Sequence, residues 1–181
     1  MSRFLTGRRL LLGIGVGIVT AVFVVDFVGS PRTTGHLRCN RNLRYIGTAI
    51  KMYAIDHDGQ YPPDLFTLAQ NGYIDFQVGR FNFFCPAYDE HLPRRVIKRR
   101  ADFVSDYWYR PGFSERTAGS ETGIVMDKMG NHTNYGNILF GDGHVKGFYG
   151  EQWYLNAGGM EGPPPENHRD ASKPMPLGCG R

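Results

Sequence analysis

Asn137-Ile138-Leu139-Phe140-Gly141-Asp142-Gly143-His144-Val145-Lys146-Gly147-Phe148 reads as two short strands folded back on each other. Asp-Gly is the dipeptide of a two-residue type I′ turn, whose twist matches that of the strands it joins. A turn centred on Asp142-Gly143 sets Phe140 opposite Val145 and Ile138 opposite Gly147. That register puts Ile138, Phe140 and Val145 on one face and His144 and Lys146 on the other. Asp142 is therefore first a turn former. On this geometry Gly143→Val should cost more than His132→Ala, because a β-branched residue resists positive φ.

Upstream, Phe81 to Cys85, Tyr107 to Tyr109 and Ile124 to Asp127 are short runs of aromatic and β-branched residues, and read as further strands. Between His36 and about His57 the period changes. Cys39, Leu43, Ile46, Ile50, Tyr53 and Ala54 recur at three- and four-residue spacing, which makes one buried helical face, while Arg38, Arg41, Arg44 and Lys51 lie largely elsewhere. A second, shorter helix is expected from about Pro63 to Gln70, with Pro in its first turn and Asn71-Gly72 at its end. These elements predict an α+β fold, a helix packed on a small antiparallel sheet.

The 24 Gly and 11 Pro among 181 residues favour loops and short strands over a helical bundle. Three Cys with no C-x-x-C pair exclude a zinc ribbon, a thioredoxin motif and a disulfide-dense mini-domain. Gly13-Ile14-Gly15 lacks the third glycine of a dinucleotide-binding turn, and Ser105, Ser114 and Ser120 lie in no G-x-S-x-G context.

Residues 10–28 form an apolar run preceded by Arg3, Arg8 and Arg9. At about 1.5 Å per residue such a run spans the hydrocarbon core of a bilayer. The organisation expected is a cytoplasmic tail at 1–9, a transmembrane helix at 10–28, a hinge at 29–35, a domain at 36–156 and a flexible Gly- and Pro-rich tail at 157–181; a cleaved signal peptide is the rival reading of the same charged start and apolar run. The short basic tail abutting the span puts the N-terminus in the cytoplasm and the domain outside the cytoplasmic membrane. On the oxidising side a Cys39–Cys85 disulfide is expected, since Cys39 shares the buried helical face and Cys85 ends an aromatic strand. Two buried free thiols are the alternative.

Several motifs together resemble the H-X9-DG group of type IV pilin-like and pseudopilin proteins, which is associated with prepilin-type processing. His132, nine intervening residues and Asp142-Gly143 reproduce the spacing that names it. Cys39-Asn-Arg-Asn-Leu43 through Met52-Tyr53-Ala54, then Asp58-Gly59-Gln-Tyr61-Pro62 and Cys85-Pro86, are similar to its other landmarks, so the resemblance covers most of residues 39–148. It implies a hydrophobic N-terminal helix carrying a pilin-like α+β head, with the membrane, pilin-like or secretion-assembly proteins and further copies of the chain as partners. It also implies a candidate calcium site, with Asp127, Asn131 and Asp142 as hard oxygen ligands. The chain departs from the group where a prepilin peptidase would cut: Gly7 is followed by Arg8, and Leu12 occupies the fifth position, where Glu belongs.

The function expected is that of a membrane-anchored structural or interaction protein with no enzymatic step and no obligatory cofactor. His132, Asp142 and Gly143 then serve the fold. Two other readings compete with it. An extracytoplasmic metal-dependent hydrolase would use His132, Asp142 and His144. An adhesin or nucleic-acid-binding module would use the five positive charges in residues 94–100, although nucleic-acid binding needs a larger basic surface with stacking aromatics.

Overall fold

The computed structural model describes residues 31–75, 83–85 and 103–165. Among them are a long helix α1 (Pro31–Asp56), a short helix α2 (Leu65–Gln70) and four strands: β1 (Tyr107–Tyr109), β2 (Gly123–Asp127), β3 (Tyr135–Phe140) and β4 (Val145–Tyr149). A one-turn 3-10 helix, Trp153–Ala157, follows. The strands pair antiparallel in the order β1-β2-β3-β4, so the fold is α+β.

The periodicity of α1 matches its burial. Cys39, Leu43, Ile46, Ile50 and Ala54 are completely buried against the sheet, whereas Leu37, Tyr45, Met52 and Ile55 are exposed. The helix is already formed at Pro31, the first described residue, so residues 31–35 of the anticipated hinge are helical. Asp58 and Gly59, both at positive φ, end the helix, with the Gly59 N–H donating to the Ala54 carbonyl at 2.8 Å. In α2, Pro63 falls outside the helix and Asp64 is the N-cap, its Oδ1 accepting from the Thr67 N–H at 2.8 Å. The stretch expected as a strand up to Cys85 is not one in its described part, Phe83 to Cys85.

The hairpin register differs from the expected one by a single residue. Leu139 pairs with Val145, Ile138 with Lys146 and Asn137 with Gly147. The connection has three residues, Gly141-Asp142-Gly143: Gly143 sits at φ +96° while Gly141 and Asp142 keep negative φ, and the Gly143 N–H donates to the Phe140 carbonyl at 2.9 Å. This is a tight turn followed by a left-handed glycine, not a type I′ turn. The slip moves Val145 to the face of Leu139 and Val125, against α1, and brings His144 and Lys146 to the face of Ile138 and Phe140. There the His144 ring stacks on Phe140, at 4.4 Å between centroids, and the Lys146 ammonium lies over Phe148.

Every residue of β2 and β3 is buried because the sheet is covered on both sides. Behind it, Met126, Ile138 and Phe140 pack under Trp153 and Ala157. The Arg110 guanidinium ties this cover down, donating from Nη1 to the carbonyls of Gly123 (2.8 Å), Ala157 (3.2 Å) and Gly158 (2.9 Å). The tail expected outside the core from residue 157 onward is thus part of it at Ala157, and Pro165 still accepts a hydrogen bond from Met129. Trp153 and Ala157 land over Gly136 and Gly123, where the strands present no side chain, and Met129, Tyr154 and Met160 pack against the same cluster. Among the described residues no helix is long and apolar enough to cross a membrane; the expected span at 10–28 lies outside them.

The loop geometry sets the cost of changes at Gly143. A Cβ there meets nothing within 4 Å, so the only penalty is backbone strain. Gly143→Asn should be nearly neutral, since Asn tolerates the left-handed region, and Gly143→Val should lose about 1–2 kcal/mol. His132→Ala should cost more, about 2–4 kcal/mol, because it empties a fully buried site. That ranking reverses the sequence-based one, and thermal melts of the three variants check it.

Candidate functional site

Three segments far apart in sequence converge at the end of the sheet where β2 finishes and β3 begins. Helix α1 supplies His36, Cys39 and Asn42 at three-residue spacing, hence on one stripe. The Phe83–Cys85 segment supplies Cys85, whose N–H donates to the Asp106 carboxylate at 2.6 Å. The β2–β3 connection supplies Asn131 and His132. It reverses the chain through positive φ at Gly130 and Asn134.

The two thiols and the imidazole face one another. Cys39 Sγ lies 3.3 Å from Cys85 Sγ, and Cys85 Sγ lies 3.9 Å from His132 Nε2. The three ligand atoms all fall within 4.8 Å of each other, and all three residues are buried. Asp127, at the end of β2, stands behind the imidazole with Oδ2 3.6 Å from His132 Nε2. That same oxygen accepts from the Asn137 N–H at 2.7 Å and from Asn137 Nδ2 at 2.9 Å. Asn42 Nδ2 donates to the Phe84 carbonyl and to the Tyr107 hydroxyl, at 3.0 and 3.1 Å, locking the helix to the Cys85 segment. The His36 ring stacks on Tyr135, 3.9 Å between centroids, and meets His132 edge-on at 4.8 Å.

Burial acts first on this cluster, because a charge is poorly solvated there. It pushes the Cys39 thiol well up, and Tyr107 likewise. Cys85 moves the other way, to about 7, because it accepts a hydrogen bond from Cys39 and has His132 beside it. Of the two thiols, Cys85 is thus the one that gives up its proton more readily. His36 is lowered by burial and then by the charge of His132. A thiolate beside an imidazole has the composition of a nucleophile and base, but both Sγ atoms are sealed in the core, at 0% exposure. The arrangement is suited to binding a small cation or to thiol–disulfide chemistry, and unsuited to attack on a bulky substrate.

The site residues read from the sequence divide into two places. Cys39 and Cys85 meet as the buried helical face suggested, yet they are free thiols and not the expected disulfide: 3.3 Å is well beyond bonding distance. Asp127 and Asn131 also belong to this cluster, with Asn131 Nδ2 3.5 Å from Asp127 Oδ1. Asp142 does not. It lies in the exposed turn at the other end of β3, where Oδ1 is 2.6 Å from His144 Nδ1. With six residues of strand at roughly 3.3 Å each between the two ends, neither the calcium set Asp127, Asn131 and Asp142 nor the hydrolytic set His132, Asp142 and His144 is assembled. The nine-residue spacing from His132 to Asp142-Gly143 is the length of β3 with its flanking turn residues. It connects two structural positions and no common site. Residues 94–100 and Cys179 lie outside the described residues.

Sequence reasoning passed over Asp106, Asn42 and Asn137. Asn42 carried a visible signal, being a polar residue on the stripe otherwise filled by Cys39, Leu43 and Ile46; it is buried to 5% exposure. Asp106 and Asn137 carried none, because their partners come from other segments. No family model, no curated protein and no solved structure matches the chain. Fold and site together define an α+β domain whose main helix is fastened to its sheet by a buried thiol, imidazole and carboxylate cluster.

Proposed function

We propose that this chain is a membrane-anchored, pilin-like structural or interaction protein, with its domain exposed outside the cytoplasmic membrane and no catalytic step. One observation carries the reading. Helix α1 is already formed at Pro31, the first described residue, is unbroken for 26 residues, and carries an outward stripe of Leu37, Tyr45, Met52 and Ile55 that no part of the described domain covers. Exposure ranges from 48% at Met52 to 78% at Ile55, and around the helix the four positions fall within roughly a quarter-turn of each other. The exposed Arg41 and Thr48 share that sector, so the stripe is a mixed apolar and polar surface of the kind that non-obligate contacts use. A helix that leaves the bilayer and lies along a sheet presents that stripe sideways, toward neighbouring copies or pilin-like assembly proteins held in the same membrane. Metal-dependent hydrolysis by His132, Asp142 and His144 is disfavoured by the separation of those side chains.

The test is fractionation followed by proteolysis. The full chain should sediment with membranes and resist carbonate extraction, and protease added to intact spheroplasts should cut within residues 40–150. Cross-linking in membranes should give higher-order species that diminish in Tyr45→Glu and Ile55→Glu, with the melting temperature unchanged. Recovery of the chain as a soluble protein, or protection of the domain until the cells are lysed, would overturn the proposal.

A further inference from the structure

We propose that Cys39, Cys85 and His132 form a binding site for one soft d10 cation, Zn2+ or Cu+, which fastens α1 to the sheet. In a tetrahedral zinc site, bonds of about 2.3 Å to sulfur and 2.0 Å to nitrogen leave neighbouring ligand atoms about 3.5–3.8 Å apart. The sulfur–sulfur distance of 3.3 Å and the Cys85 sulfur–nitrogen distance of 3.9 Å lie within about half an ångström of that geometry, and Cys39 Sγ and the imidazole, within 4.8 Å of each other, reach it when the imidazole moves in toward the sulfurs. The ligands come from a helix, an irregular segment and a turn, separated by 46 and 47 residues, so the convergence is a product of the whole fold.

Two observations favour a cation over a plain disulfide. A disulfide needs only the two sulfurs, yet a buried imidazole is aimed at Cys85 Sγ with Nε2, the nitrogen that also faces Asp127. The surroundings are also those of an oriented ligand set: the Cys85 main chain is held by Asp106, and Asp127 is held by Asn137. Such outer partners fix ligand geometry and balance its charge. Two thiolates neutralise Zn2+, and the same donors suit Cu+, for which thiolate and imidazole are both good ligands. The two ions differ in the fourth position. Zinc needs another donor, and the Asp127 carboxylate or the Asn131 carbonyl, 4.0 Å from Cys85 Sγ, stands nearby; Cu+ is content with three.

The experiment uses the full chain, purified in detergent under reducing conditions, stripped with a chelator and then loaded with Zn2+, Co2+ or Cu+ alone. About one ion per chain should remain after gel filtration, and the melting temperature should rise by about 10 °C or more. If the site is a zinc site, Co2+ should give intense tetrahedral d–d bands and sulfur-to-cobalt charge transfer. If it is a copper site, Cu+ should be retained against a competing chelator while Co2+ gives no such spectrum. Cys85→Ser and His132→Gln should each weaken binding by at least about 100-fold, whereas Cys179→Ser should leave it unchanged. Should a site variant fail to fold, the spectrum and stoichiometry of the unaltered chain decide the matter. Retention of neither ion, binding that depends on Cys179, or peptide mapping that finds a Cys39–Cys85 disulfide in freshly isolated protein would overturn the proposal.

Discussion

Asp127→Ala should lower the stability of the domain by about 3–5 kcal/mol, the largest loss expected from any single change. The carboxylate is completely buried and is the hub between β2, β3 and the turn that carries His132. Its Oδ2 accepts two hydrogen bonds from Asn137, one from the backbone and one from the side chain. Removing it deprives two buried donors of their acceptor and removes the negative charge beside His132. An unsatisfied buried donor costs about 1–3 kcal/mol, and bonds to a charged acceptor lie at the upper end of that range. Asp127→Asn should lose less, because an amide oxygen in the place of Oδ2 keeps both bonds from Asn137, and only the NH2 group in the place of Oδ1 faces a donor, Asn131 Nδ2. Denaturant unfolding of the three proteins orders them; a loss below 1 kcal/mol for Asp127→Ala would show that the network is not formed in solution.

Gly136→Val should lose about 2–4 kcal/mol through a different mechanism, the eviction of Trp153. A Cβ on Gly136 would enter the Trp153 indole, and the central strand β3 cannot retreat because both of its neighbours are hydrogen-bonded to it. The indole must therefore lift. That uncovers Met126, Ile138 and Phe140 and loosens the segment which Arg110 ties to Gly123. With Trp108→Phe as background, Trp153 is the only tryptophan left, and its emission should shift to the red in Gly136→Val. A double-mutant cycle sharpens the test: in a Trp153→Ala background, Gly136→Ala should become nearly neutral. An unchanged emission maximum together with unaltered stability would remove the outer cover from the account of this fold.

The α+β composition of the fold, the buried face of α1 and the approximate limits of all four strands were legible in the sequence. Each rests on an interaction local in the chain: a 3.6-residue period, a run of β-branched and aromatic residues, or a glycine that must turn. Where the decision was not local, the sequence left it open. Asp142-Gly143 is compatible with a two-residue and a three-residue hairpin, and burial patterning discriminates between them only when one strand face is polar. In β3 both faces are buried and largely apolar, with Tyr135 and Leu139 flanking Asn137 on one side and Ile138 and Phe140 on the other. Either register therefore hides comparable side chains. Packing of Leu139 and Val145 under α1, and of Ile138 and Phe140 under Trp153, selects the register seen. The site follows the same logic. Cys39, Cys85, Asp127 and His132 were each visible as residues, and Cys39 and Cys85 even as a pair. That an imidazole and a carboxylate would join those sulfurs depends on where β2 ends against α1, a distance that only the packed sheet sets.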